Sequence, residues 1–288
     1  MENLGEFLYS AAMLEIAFAA MAGLVVGSFL NVCIYRIPKG ESIVFPGSHC
    51  PHCRASVQWF DNIPIASYLV LGRRCRSCRA PIAVRYPLVE ALTSCVFVLY
   101  YWTFGLSSAL GVNLVLGALT LALLFIDYDH QLLPDVLTLP GVALGLVLSP
   151  WQSAEFVHRG TVEWTARLLG LFPSPVALSV VNSVWGIVVG GAVLWIPLVL
   201  YLKIFGREGM GLGDVKMMAM VGAFTGWPSA LLVVLWGSLL GSLVGGALIV
   251  ARGKDRYLAL PFGTFLGIAT LLAVPWGPLF LDWYAGFF

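Results

Sequence analysis

Eight stretches of this chain are apolar over lengths close to those that cross a bilayer, and this constrains the fold more than any other feature. They run over about residues 10–34, 88–104, 109–128, 132–150, 177–203, 212–226, 229–251 and 261–281, each bounded by charge or by Pro and Gly; the sixth is the shortest. A helical crossing takes roughly 20 mostly apolar residues, because hydrocarbon offers no partner to backbone polar groups and a helix satisfies its own. With 59% hydrophobic and 11% charged residues, the chain has too little charge to solvate a water-soluble surface, and a net charge of +1 leaves no footprint for nucleic acid. Long runs rather than short alternating segments argue against a β-barrel. The expected fold is all-α: a polytopic membrane helical bundle of about eight transmembrane helices. Glu2 and Glu6 precede the first run where a secretory signal carries Lys or Arg, and no small-residue cleavage site follows, so this run is expected to remain as a span.

Eight of the sixteen Lys and Arg residues (Arg36, Lys39, Arg54, Arg73, Arg74, Arg76, Arg79 and Arg85) fall within 36–87, which marks that polar stretch as cytoplasmic. Alternation then puts the segments near 127–131, 203–213 and 252–258 on the same side, the last two carrying Lys203, Arg207, Arg252, Lys254 and Arg256. The loop 151–176, with Arg159 and Arg167 balanced by Glu155 and Glu163, falls on the far side and could lie as an interfacial helix. The expected organisation is a first transmembrane helix at 1–35, a cytoplasmic four-cysteine loop domain at 36–87, and a transmembrane core at 88–288. No long internal repeat is visible.

The loop contains Cys50-Pro51-His52-Cys53 and, after twenty-one intervening residues, Cys75-Arg76-Ser77-Cys78. A CxxC turn presents two thiolates to one tetrahedral cation, and two such turns complete a closed structural zinc site, here in a small zinc-ribbon-like domain. A cytoplasmic setting disfavours stable disulfides, which leaves a redox pair or plain buried thiols as the alternatives. His49 and His52 are reserve ligands, or loop histidines in solvent. Cys33 and Cys95 lie in apolar runs and read as small core residues.

Three carboxylates crowd the turn after the third run, in Asp127-Tyr128-Asp129-His130-Gln131-Leu132-Leu133-Pro134-Asp135. The sixth run opens Gly209-Met210-Gly211-Leu212-Gly213-Asp214-Val215-Lys216, where a flexible segment delivers an aspartate into an apolar helix. Both places are cytoplasmic by the charge count, so their carboxylates can meet. Ionisable groups at such depth are costly and mark candidate sites. Two close carboxylates share one proton: one polarises a carbonyl while the other activates water, which suits hydrolysis. Gly211 and Gly213 would let backbone approach a substrate strand, and Lys216 could hold one carboxylate ionised. Each aspartate alone could also be an interfacial charge, and Asp135, just after Pro134, suits the positive end of the next helix dipole. Glu90 reads equally as a helix N-terminal charge, and Glu15 has no evident role. Gly23 with Gly27, Gly186 with Gly190, and Gly237, Gly241 and Gly245 at four-residue spacing read as helix packing.

Gly27-Ser28-Phe29-Leu30-Asn31-Val32 before Tyr35-Arg36-Ile37-Pro38, the two CxxC pairs, Tyr86-Pro87-Leu88-Val89-Glu90, Asp127 with Leu133-Pro134-Asp135, and Gly211-Leu212-Gly213-Asp214-Val215-Lys216 together resemble the bacterial type IV prepilin peptidases, over most of the chain. That family is similar to the wider group of intramembrane aspartyl proteases with a GxGD element. The resemblance implies an inner-membrane aspartic endopeptidase that removes the leader from type IV prepilins and type II secretion pseudopilins after Gly, at the cytoplasmic face. It also implies N-methylation of the new terminus with S-adenosylmethionine, for which no nucleotide-fold glycine motif is present. The family's first catalytic aspartate stands seven residues before the Pro of its Leu-Pro-Asp element, which selects Asp127, with Asp129 in a presenilin-like Tyr128-Asp129 pair as the alternative; Asp214 is the second. The family's cysteine loop corresponds to Cys50, Cys53, Cys75 and Cys78. A transporter using these aspartates would place them in broken helices near the midplane, within inverted repeats, and neither is seen. A thiol oxidoreductase would need one CxxC pair rather than two.

Overall fold

The computed structural model describes residues 2–153, 156, 159–168, 170, 174–206, 210–252 and 260–287, with backbone alone at 2–11, 159–161, 164, 166 and 252. Its α-helices are α1 (Glu2–Arg36), α2 (Ala66–Val70), α3 (Arg85–Phe104), α4 (Ser108–His130), α5 (Asp135–Leu148), α6 (Arg159–Leu168), α7 (Pro175–Phe205), α8 (Leu212–Arg252) and α9 (Phe262–Ala285). Among the described residues there is no strand, only two isolated β-bridges. The all-α expectation holds, and each of the eight apolar runs is helical. Six helices are long and apolar enough to cross a membrane: α1 from Ala12, α3, α4, α7, α8 and α9. The count is six rather than eight for two reasons. The sixth and seventh runs are two helices, 212–225 and 227–252, which meet at a non-helical Gly226 (φ 76°, ψ 173°) and are numbered together as α8, and α5 has only 14 residues before Ser149-Pro150-Trp151 tighten into a 3-10 turn.

The chain divides into two compact units, Met1–Leu106 and Ser107–Phe288. The first therefore includes α3 and extends past residue 87, because α3 packs along α1. A Cβ on Gly23 would lie 2.5 Å from Ser94 Cα, and one on Gly27 2.7 Å from Glu90 Cα, so the two backbones approach as only glycine allows. Asn31 Nδ2 donates to the Tyr86 carbonyl at 3.0 Å, Ser94 Oγ to the Ala20 carbonyl at 3.0 Å, and Tyr101 to Glu15, which gives that deep carboxylate its role. Cys33 is buried as expected; Cys95 instead lies exposed on α3.

In the second unit α8 packs against α5, α7 and α9, and α4 against α9. Ser107 and Ser174 cap α4 and α7 by accepting from the Leu110 and Ala177 amides. Leu116, Leu121, Leu123 and Ile126 of α4, Met217, Met218, Met220 and Phe224 of α8, and Leu266 of α9 form the buried core. A Cβ on Gly186 would collide with the Gly222 carbonyl, and one on Gly222 with that of Gly186, so α7 and α8 also meet through glycine. At the α8 bend Gly226 has φ 76°, and Pro228 has no N–H for the Phe224 carbonyl four residues back. Gln152 Nε2 takes that carbonyl at 2.9 Å, and Ser183 Oγ takes the Ala223 carbonyl at 2.7 Å, so these two carbonyls are matched, while the buried Asn182 Oδ1 against Gly226 has no partner among the described residues. Asn113 Nδ2 in turn donates to Gln152 at 2.9 Å. The helix expected in the loop 151–176 is α6, which packs on α7; Trp185 Nε1 donates to Thr165 at 3.0 Å. Of the loop charges, Glu155, Arg207, Lys254 and Arg256 lie outside the described residues, as does Gly209.

Candidate active site and metal centre

Asp127 occupies the last turn of α4. The helix stops just beyond it, where Gln131 turns to φ 51° and returns its N–H to the Asp127 carbonyl. Within this turn Asp127 is 5% exposed, whereas Asp129 is exposed. One helical turn therefore buries the first carboxylate and turns the second outward. Asp214 lies in the first turn of α8 and is 8% exposed. Asp127 and Asp214 are the two aspartates buried among the described residues.

The start of α9 holds Asp127 in place. Thr264 donates to Asp127 Oδ2 twice, from its backbone N–H at 2.6 Å and from Oγ1 at 3.0 Å. A Cβ on the preceding Gly263 would come within 3.0 Å of Asp127 Cγ and 2.9 Å of Leu133 Cδ1. Leu133 is the shared wedge, since a Cβ on Gly213 would meet Leu133 Cβ at 2.8 Å. Thus α4, α8 and α9 converge on one leucine, with Asp214 beside one glycine and Thr264 beside the other. Gly211 differs from Gly213: a Cβ there would meet only Asp214 Oδ2 at 3.7 Å and the Gly213 nitrogen at 3.9 Å, so its surroundings are open. The Asp214 amide donates back to the Gly211 carbonyl at 3.2 Å, curling the segment into the helix start. Bare backbone therefore adjoins Asp214 at Gly211, where a bound strand could pair, while Gly213 is glycine for packing.

Lys216 does not hold either buried carboxylate. Its Nζ lies 2.6 and 2.8 Å from the two oxygens of Asp135, one α-helical turn into α8 against the first residue of α5. Asp135 thus has an ion-pair partner in addition to its place at a helix N-terminus. Thr264 and Gly263 carry no motif that singles them out in the sequence; the only signal is a polar residue opening an apolar helix after Pro261.

In the other unit the two CxxC turns repeat one geometry. Cys50 donates its amide to Ala55 O and accepts from Arg54 N; Cys75 does the same with Ala80 and Arg79, all at 2.8–3.0 Å. Arg54 (φ 58°) and Arg79 (φ 60°) take the left-handed conformation that closes each turn. The four sulfurs of Cys50, Cys53, Cys75 and Cys78 lie within 4.8 Å of one another, and Cys50 Sγ is 3.8 Å from Cys78 Sγ. A tetrahedral ion with metal–sulfur bonds of about 2.3 Å, as zinc forms, sets its sulfurs about 3.8 Å apart, so the cluster fits a metal. His49 and His52 are outside it; His49 instead contacts the Gly47 carbonyl. The backbone amides of Cys78 and Ser77 pull Cys75 down to about 6. For Cys78 the Ala80 amide works in the same direction, but burial and the crowding thiols of Cys53, Cys75 and Cys50 push it up to about 11. Arg76 clamps the loop by donating to both oxygens of Asp61 at 2.6 and 2.7 Å, holding that carboxyl below the usual range.

Known families match both units. The Bacterial Peptidase A24 N-terminal domain matches residues 21–104, and the Type IV leader peptidase family matches residues 114–246. The chain is similar to a prepilin leader peptidase/N-methyltransferase of Pseudomonas aeruginosa, 36% identical with 94% of each chain covered. Proteins of the same name in Legionella pneumophila (34%, 92% of each chain) and Myxococcus xanthus (38%, 82% of this chain and 64% of the relative) are also similar. No solved structure matches.

Proposed function

The chain belongs to the type IV leader peptidase family, and from that premise we propose that this multi-pass membrane protein cleaves the leader from prepilins or pseudopilins and methylates the new N-terminus. The pair of buried carboxylates, Asp127 and Asp214, carries the reading. They act as an aspartic dyad with one shared proton. The Thr264 backbone N–H donates to Asp127 Oδ2 and its hydroxyl lies between that oxygen and the Leu124 carbonyl, an arrangement that favours negative charge on Oδ2. The ionised partner takes a proton from water as it attacks the scissile carbonyl, and the protonated partner stabilises the developing oxyanion. Gly211 offers open backbone beside Asp214 for the extended bond, Gly213 seats Asp214 against Leu133, and Lys216 steadies the α8 start through Asp135.

The basic stretch 36–87 supports an orientation in which it and the dyad end of the bundle face the cytoplasm of a bacterial inner membrane. A leader's Lys and Arg would then meet acids at the cytoplasmic face while its apolar helix docks laterally from lipid. Zinc held by Cys50, Cys53, Cys75 and Cys78 would be structural, since a closed four-thiolate set leaves no position for substrate. S-adenosylmethionine would supply the methyl group. The test is incubation of the purified protein with a prepilin in detergent and mass spectrometry of the product. A cut after the leader's final Gly, and a 14 Da increment when the methyl donor is added, is expected; an intact substrate would overturn the reading.

A further inference from the structure

Arg36 ends α1, and an arginine at the end of a membrane helix ordinarily reaches out to water along its flexible stem. Here it is 5% exposed. Its Nη1 donates to the Ser42 carbonyl at 2.9 Å and its Nη2 to the Gly47 carbonyl at 3.1 Å. Both acceptors are neutral, and among the described residues no carboxylate pairs with Arg36. A guanidinium has five N–H donors, so three remain on a buried cation that lacks a counter-charge. Arg36 lines a half-open cavity of about 360 Å³, which falls within the roughly 300–1,000 Å³ of small-molecule sites.

The rest of the lining is apolar along the membrane span. Val25, Phe29 and Val32 line the cavity from α1, at a spacing of four and three residues that sets them on one helical face, and Arg36 follows on that face four residues later. Val25 is 63% and Phe29 51% exposed, so this face of a membrane-spanning helix meets hydrocarbon. Val44 and Asn62, from the polar stretch after α1, help to close the other side. The cavity is therefore apolar toward the bilayer interior and cationic at the end of the span, where headgroups lie. A free anion would satisfy Arg36 and leave the apolar face unused. A molecule with a phosphate head and an aliphatic chain uses both, and a guanidinium matches phosphate oxygens well. The stretch 36–87 carries eight Lys and Arg against Glu41 and Asp61, and Asp61 is already paired with Arg76, which favours a net-negative headgroup over a zwitterionic one. The same stretch exposes Phe45, Trp59 and Val70, apolar and aromatic side chains of the kind that rest at headgroup depth.

We propose that this cavity binds one anionic phospholipid, with the phosphate on Arg36 and an acyl chain laid along Val25, Phe29 and Val32 of α1. The lipid supplies the counter-charge that the fold does not. Because Arg36 also holds the Ser42 and Gly47 carbonyls, the bound headgroup ties the start of the four-cysteine stretch to the membrane surface. The site belongs wholly to the first unit, apart from the residues assigned to peptide cleavage.

The test is native mass spectrometry of the purified full-length protein, delipidated in detergent and titrated with phosphatidylglycerol or phosphatidylcholine, together with photo-cross-linking of a phosphatidylglycerol that carries a diazirine in its acyl chain. Phosphatidylglycerol is expected to bind more tightly than phosphatidylcholine and to label residues within 25–32. Arg36→Gln is expected to weaken its binding by roughly tenfold or more, since hydrogen bonds between charged groups are lost. Arg36 also holds two carbonyls of the loop, so Val44→Trp gives a second reading: from a lining position that is 66% exposed it fills the mouth, and is expected to weaken binding while thermal unfolding stays at the wild-type temperature. Phosphatidylglycerol binding that neither variant weakens, equal affinity for phosphatidylcholine, or label absent from 25–32 would overturn the proposal. Inorganic phosphate that binds the lipid-free protein and displaces the lipid would reassign the cavity to a soluble anion. Label lost on addition of prepilin, with lipid affinity unchanged in Arg36→Gln, would assign the apolar face to the substrate's helix instead.

Discussion

Replacing Thr264 with Val tests how the dyad is held. Valine keeps the shape and the backbone N–H, which donates to Asp127 Oδ2 at 2.6 Å, and deletes only the hydroxyl, which donates to the same oxygen at 3.0 Å. A hydrogen bond to a charged group contributes roughly 1.5–3 kcal/mol, toward the upper part of that range where the acceptor is shielded from water. Asp127 is 5% exposed, so no solvent substitutes for the lost donor. If the bond is as strong in the transition state as that range allows, kcat/KM falls by roughly 10- to 100-fold, at about 1.4 kcal/mol per factor of ten. Thr264→Ser keeps the donor and is expected to cut within about threefold of wild type. The assay is initial-rate prepilin cleavage in detergent, with thermal unfolding measured alongside. Cleavage by Thr264→Val at the wild-type rate would refute the reasoning, because Asp127 would then need no support from the Thr264 hydroxyl.

The two glycines of the GxGD element are expected to separate. Gly213→Ala should destabilise by about 1–3 kcal/mol through its clash with Leu133, less so when Leu133→Ala is added, while Gly211→Ala should leave unfolding unchanged and slow cleavage. In metal-free protein at pH 7 iodoacetamide should alkylate Cys75, a thiolate above about pH 6, and spare Cys78, which is held up at about 11; one zinc per chain should protect all four thiols, as read by peptide mass mapping. The side chains of the Lys216–Asp135 pair are 34% and 56% exposed, so a double-mutant cycle on unfolding should give a coupling of no more than about 1 kcal/mol.

The apolar runs made the helices legible, since hydrocarbon length and backbone satisfaction leave few alternatives. Hydropathy separated the sixth and seventh runs, and the two helices part at Gly226; it could not show that Ser183 and Gln152 reach across from elsewhere to take the freed carbonyls. Two CxxC turns were sufficient to pick the four cysteines that cluster from six cysteines and two nearby histidines, because spacing fixes which sulfurs share a turn. Their left-handed arginines were not visible, as Arg54 and Arg79 are poor sequence signals for positive φ. Burial of Asp127 with exposure of Asp129 follows from helical phase, which is readable once the packed face of α4 is known. Thr264 was out of reach because its contact spans 137 residues. Lys216 was visible as a charge next to the dyad, but its choice of Asp135 over the buried carboxylates is a matter of side-chain direction on α8.

Cleavage of one prepilin by wild type, Asp127→Asn, Asp129→Asn and Asp214→Asn, each at matched folded concentration, tests the aspartic dyad most directly. The account predicts that the Asp127 and Asp214 variants lose cleavage altogether, while Asp129→Asn, altered at an exposed carboxylate, cuts at close to the wild-type rate. Cleavage by Asp127→Asn or Asp214→Asn, or its loss in Asp129→Asn alone, would contradict it.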